Sequence, residues 1–185
     1  MARPLSEEKR SALLKAAADA IAAEGVGVST SRIAKEAGVA TGSLFLYFPT
    51  KDHLLNRLYA SIKQEIAEAM LAKYPQEADV SERMRSVWMA YLKWGMANPS
   101  KRQALSQLSI SHRITKEVRD ESMKHLREIE DLLKCVSPSN TITDDFAVAI
   151  MTALSEVTIG FMTSEKKKAS KYAEMGFVAL MKSLS

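Results

Sequence analysis

The chain has little of what normally punctuates a fold. Its 185 residues hold only 7 glycines and 5 prolines, about half of the combined ~12% of average usage. A chain so poor in turn residues is not an all-β sandwich or an array of βαβ units. A single cysteine, Cys135, excludes an intrachain disulfide and a Cys₂His₂ or Cys₄ zinc site, and it asks for no oxidising compartment. Long apolar runs are scarce. The most apolar stretch, residues 146–162, carries Glu156 and is short of the ~20 residues of a membrane span. The opening MARPLSEEKR lacks the apolar run of a secretory signal. The expectation is a cytoplasmic protein with no membrane, metal or cofactor.

What the chain does have is helix-forming composition: Ala, Leu, Met, Lys and Glu are plentiful. With 46% hydrophobic and 26% charged residues, it is globular and long enough to bury a core. The net charge of +4 permits nucleic-acid binding without arguing for it. The excess divides evenly between residues 1–60 and the remainder, so charge alone singles out no DNA-binding half.

Helical periodicity and its stops predict an all-α fold of about nine helices. Ser6 caps a first helix that Gly25 ends, and Ser29 or Thr30 caps a short second one stopped by Gly38. A third covers residues 41–48, before Pro49. Lys51 and Asp52 open a long helix striped by Leu55, Leu58, Tyr59, Ile62 and Ile66. Residues 73–80 read as a loop, 81–98 as a helix ended by Pro99, and 101–109 as a short helix. A charged helix is expected over 115–136, a turn over 137–143, an apolar helix capped by Thr143 or Asp144, and a final helix opened by Lys166–Lys168.

The informative stretch is TSRIAKEAGVATGSLFLYF, residues 30–48. Two short helices joined by Gly38-Val39-Ala40 suit a helix-turn-helix. Ala34 lets the second helix approach closely, Gly38 suits a left-handed turn, Val39 tucks under that turn, and Ile33, Ala37 and Leu44 close a small core. Thr41, Gly42, Ser43, Phe45 and Tyr47 then face outward. Their side chains are small, hydroxylated or aromatic, and no acid follows Glu36 through this second helix. A helix lying in the major groove needs such a surface. An ordinary helical hairpin is the plainer alternative.

Ile33-Ala34, Ala37-Gly38-Val39, Gly42-Ser43-Leu44-Phe45, Tyr47-Phe48-Pro49 and Lys51-Asp52-His53-Leu54 together resemble the DNA-binding region of TetR-type transcriptional repressors. Within that family, the Trp88-x-x-Tyr91-x-x-Trp94-Gly95 segment is similar to RamR-type multidrug-responsive regulators. The resemblance implies a DNA-binding domain over residues 1–50 and a ligand-binding and dimerisation domain over 51–185. It implies that Thr30, Tyr47 and Lys51 hold phosphates, that Ser31 and Arg32 lie near the groove edge, and that Thr41, Gly42 and Ser43 face base edges. Phe45 stands where the family usually has tyrosine. It can touch a thymine methyl or a sugar but cannot donate to phosphate.

Elsewhere, His53, His112 and His125 lack metal-ligand spacing, and no Gly-x-Ser-x-Gly or Ser/His/Asp set offers a nucleophile. Trp88, Tyr91 and Trp94 recur every three residues. They are either core or, with Tyr59, Phe146, Glu156 and Phe161, the lining of a small-molecule pocket. The apolar faces of 146–161 and 169–184, with Gly160 and Gly176, suit a homodimer through the last two helices. The expected function is therefore a homodimeric repressor on double-stranded operator DNA, released by a small apolar or cationic aromatic effector. A helical protein–protein module that binds no DNA is the alternative from another class, and a helical-bundle enzyme is disfavoured.

Overall fold

The computed structural model describes residues 6–136 and 143–184. The first five residues, and residues 137–142 of the turn expected over 137–143, lie outside the described residues. Among the described residues there are ten α-helices, one turn of 3₁₀ helix and no strand: α1 (Glu7–Glu24), α2 (Thr30–Glu36), α3 (Thr41–Tyr47), α4 (Lys51–Leu71), α5 (Val80–Ala97), α6 (Pro99–Ser109), α7 (Lys116–Lys124), α8 (Arg127–Val136), α9 (Asp144–Ser164) and α10 (Ala169–Leu184), with the 3₁₀ turn at Lys166–Lys168. The chain forms two compact units. One holds residues 1–64 and 98–123, the other 65–97 and 124–185.

In the first unit, Ser6 caps α1 through a bond from the Lys9 amide. Gly25 ends that helix at φ 88°, its amide bonded to the Ile21 carbonyl. That is a left-handed backbone that glycine adopts without strain. α1 packs on α6 and α2 through Leu13, Ala17, Ile21, Ile33, Ala104 and Leu108, all essentially without exposed surface. Pro99 starts α6 at its first turn, where its missing N–H costs nothing.

The second unit is built from α5, α8, α9 and α10, with α9 against α10 and α5 against both. Trp88 is its largest fully buried side chain. The Trp88 indole N–H donates to the Ala173 carbonyl of α10 at 2.9 Å. A Cβ at Gly176 would stand 2.7 Å from the same indole and closer still to the Thr158 hydroxyl. Gly176, expected at the dimer face, instead lets α10 approach α5 and α9 within the chain. Gly160 has open space around it.

The charged helix expected over 115–136 is two helices, broken at His125 and Leu126. No glycine or proline marks the break. α7 ends where the first unit ends, and α8 turns Ile129, Leu132, Leu133 and Val136 into the core of the second. The Lys166–Lys168 run forms the separate 3₁₀ turn rather than the start of the last helix. Residues Phe146–Ser164 of α9 are long and apolar enough to cross a membrane by length and composition, although a core helix meets the same test.

Candidate nucleic-acid interface

The helix pair begins at Ser29. Its hydroxyl caps α2 by accepting from the Arg32 amide at 3.1 Å and lies 2.9 Å from the Ser31 hydroxyl. Thr30 is half-buried at the first helical position, with Ser31 and Arg32 exposed beside it. Arg32 is already engaged. Its guanidinium bridges Glu24 and Glu36, each at 2.9 Å, so reaching a groove edge requires giving up these exposed pairs.

Gly38 makes the turn at φ 69°, and the Val39 amide returns to the Ala34 carbonyl at 2.9 Å. Ile33, Ala34 and Leu44 are fully buried where α2 crosses α3. Ala37, expected in that small core, is only half-buried at its edge, as is Val39, expected under the turn. Leu44 and Phe48 point inward, leaving Thr41, Gly42, Phe45 and Leu46 exposed, with Ser43 and Tyr47 at the margins. Gly42 has a negative φ and open space around the position of a Cβ, so nothing inside the fold demands glycine there. Leu46 is 68% exposed. The sequence reading missed it, because an apolar residue in an amphipathic helix reads as core until its neighbours are known.

The Tyr47 hydroxyl accepts from the Ser6 amide at 3.2 Å. That bond fixes the ring against the start of α1 and leaves the phenolic proton for an outside acceptor such as phosphate. Thr50 caps α4, its hydroxyl accepting from the His53 amide at 3.0 Å. Lys51 is half-buried in the first turn of α4. Burial first, and the Arg113 charge second, lower its pKa from the ordinary lysine value. Arg113, invisible to local patterning, comes from 61 residues away to pair with Asp52 at 2.7 Å. Asn56 holds it there, donating to the Arg113 carbonyl at 2.9 Å and accepting from the Thr115 amide at 3.0 Å.

The residues expected to line an effector pocket are distributed differently. Tyr59, in the first unit, is buried, and burial raises its hydroxyl pKa. Its ring already carries the Arg119 guanidinium at 5.7 Å. In the second unit, Trp88 and Tyr91 are buried on α5, and Tyr91 stacks on Trp94 at 6.1 Å. Glu156 is half-buried on α9. Phe146 and Phe161, expected as pocket walls, are instead 59% and 50% exposed, because the inner face of α9 is filled by Ala147, Met151, Ser155, Thr158, Ile159 and Met162. Phe161 stacks on Tyr172 at 5.1 Å. The second unit does carry an open cavity of about 520 Å³, but its walls include Leu71, Arg83, Lys124, Arg127, Asp131 and Cys135, and none of the six expected residues.

Comparison with known proteins agrees with the geometry of the helix pair. Residues 13–58 match the description "Bacterial regulatory proteins, tetR family". A TetR family transcription regulator from Shewanella sp. PV-4 is 30% identical, with 95% of this chain and 97% of that one covered and a TM-score of 0.80. The transcriptional regulator FadR from Bacillus subtilis, solved in complex with stearoyl-CoA, shares the fold at 18% identity, covering 93% of this chain and 97% of that one with a TM-score of 0.68. Among curated relatives, the nucleoid occlusion factor SlmA of Haemophilus influenzae is 27% identical over 79 residues, 43% of this chain and 36% of its own length. The chain spans between about a third and about half of the length of the SlmA proteins it matches. The helix-turn-helix over residues 30–48 and the likeness to the Shewanella regulator along nearly the whole chain make this a DNA-binding transcription regulator of the TetR family.

Proposed function

We propose that the chain is a homodimeric repressor that binds a palindromic operator in the bacterial cytoplasm and leaves it when a small apolar or cationic aromatic molecule binds. The observation that carries the reading is the outer face of α9 and α10. Val157, Phe161, Met175 and Val178 are exposed there, and α9 has no charge but Glu156 between residues 146 and 164. A second copy of the same two helices would cover this face in an isologous four-helix contact. Two-fold symmetry then presents two reading heads, and a palindrome with half-sites about one DNA turn, ~34 Å, apart is what they would read.

In this reading Thr30, Tyr47 and Lys51 hold phosphates, while Thr41, Gly42, Ser43 and Phe45 face the bases, with Ser31 and Arg32 at the edge. Release requires that the effector bind the DNA-free state better. The effector half of the reading rests on the family likeness, since Trp88 and Tyr91 on α5 are buried within the second unit. The Bacillus subtilis relative carries stearoyl-CoA, so a long-chain acyl-CoA belongs in the ligand panel beside cationic aromatic dyes.

The test is selection of DNA by the purified protein, then titration of the selected site with and without each compound. A symmetric site, a sedimentation mass of two chains at micromolar concentration, and an operator affinity lowered by a bound compound are expected. A monomer with an asymmetric site would refute the dimer. Indifference of operator affinity to every compound that quenches Trp88 and Trp94 fluorescence would refute the effector.

A further inference from the structure

The outer face of α3 has an unusual chemistry for a reading helix. From Thr41 to Tyr47 there is no Arg, Lys, Asn, Gln, Asp or Glu. The side chains that pair bidentately with guanine or adenine edges are therefore absent from it, and so are the carboxylates that accept from the cytosine amino group. Its hydrogen-bonding groups are three hydroxyls, on Thr41, Ser43 and Tyr47, and the Tyr47 oxygen already accepts from Ser6.

What the face offers instead is apolar. Phe45 is 40% exposed and Leu46 68%, the two large apolar side chains left so open among the described residues 6–60. They stand three and four positions after Gly42, which puts all three on one face of the helix. Gly42 keeps that face low between them, with nothing within 4 Å of where its Cβ would be. The only base-pair feature in the major groove that rewards such a surface is the 5-methyl group of thymine.

We infer that Phe45 and Leu46 read thymine methyl groups, so that each operator half-site carries thymines, identified by their methyls, where the second half of α3 lies. The inference rests on α3 being the helix that enters the groove. It assigns Leu46 a specificity role alongside Phe45, and it makes readout depend on a methyl group rather than on a hydrogen-bond pattern.

The test replaces thymine by deoxyuridine, one position at a time, in the DNA sequence that the full-length protein selects. Pairing is kept and only the methyl is lost. Uracil at one or two positions per half-site is expected to weaken binding about fourfold each, the factor for one buried methyl-sized group. Uracil elsewhere leaves binding unchanged. Leu46→Ala or Phe45→Ala removes the penalty at its own position, since the methyl then has nothing to touch. Both side chains are surface groups, and an unchanged melting temperature verifies that the variants fold. Replacing the sensitive T·A pair by 5-methylcytosine·guanine retains more affinity than plain cytosine·guanine. Equal binding to thymine and uracil at every position overturns the inference while leaving DNA binding intact, as does a penalty that survives in both variants. Selection of no sequence at all overturns the groove assignment itself.

Discussion

Gly42→Ala separates what the fold needs from what the DNA complex needs. Inside the free protein the change is harmless. Gly42 lies in α3 with ordinary negative φ, and a Cβ there meets nothing within 4 Å. Alanine is favoured over glycine in a helix by roughly 0.5–1 kcal/mol. Because Gly42 is only the second residue of a seven-residue helix, about half of that is the expected gain. On DNA the same methyl stands about 1.5 Å out from the backbone, on the face that also bears Phe45 and Leu46. If the backbone sits in contact with base edges, that displacement also lifts its neighbours off the groove, and operator affinity falls by at least about tenfold, or ~1.4 kcal/mol. Urea denaturation gives the first number and anisotropy titration at fixed salt the second. The reasoning is refuted by a variant that is no less stable and binds the operator as tightly as the parent. Gly176→Ala is the opposite control. Its Cβ collides with Trp88 and Thr158, so a stability loss of about 1–3 kcal/mol is expected, with DNA affinity per folded molecule unchanged.

Three further outcomes follow from the same geometry. Tyr47→Phe removes both the acceptor of the Ser6 amide and the free phenolic proton; binding to every sequence should weaken by about 1 kcal/mol, with no change in the slope of affinity against salt. Lys51→Gln should flatten that slope by about 0.9 for one lost phosphate contact. Its melting temperature should hold or rise, because the fold disfavours the Lys51 ammonium through burial and Arg113, a cost present at neutral pH and relieved only as alkaline pH removes the proton. A lower melting temperature in Lys51→Gln would contradict that sign. Glu36→Gln frees Arg32 from one of its two carboxylates and removes a negative charge beside α3; tighter operator binding is expected, with stability within about 1 kcal/mol because the pair is exposed.

The parts of this molecule that the sequence makes legible are those fixed by neighbours along the chain. The stop at Gly25, the turn at Gly38 and the proline that opens α6 are local backbone events, and glycine or proline announces each. The same holds for the helix pair, whose core of Ile33, Ala34 and Leu44 spans a dozen residues. What escaped depends on distant partners. The break between α7 and α8 comes from two units claiming the two halves of one charged, periodic stretch. The Asp52–Arg113 pair and the Asn56 bonds that hold it cross about sixty residues. Gly176 was legible as a small residue at a close approach, but whether the approaching helix was in the same chain was not.

Apolar periodicity locates a buried face without saying what buries it, and the exposed residues divide this chain's faces by partner. Trp88, Tyr91 and Tyr59 are satisfied internally, by a carbonyl, a stacked indole and a guanidinium respectively. Phe45 and Leu46 are not, and neither are Phe146, Val157, Met175 and Val178, while Phe161 stays half exposed although it stacks on Tyr172. The two unsatisfied faces differ in their electrostatic surroundings. Beside α3 stand Lys51 and Arg113 at the start of α4, and hydroxyls interleave the apolar side chains, which matches a groove whose walls are phosphate and whose floor carries methyl groups. Along α9 the one charge between residues 146 and 164 is Glu156, and Gly160 lies open on the exposed side. A face of that kind meets no favourable field from a polyanion and gains most from another apolar helix. In the proposed reading the same sequence pattern would serve two partners, and it is the surrounding charge, rather than the periodicity, that would separate a DNA face from a dimer face.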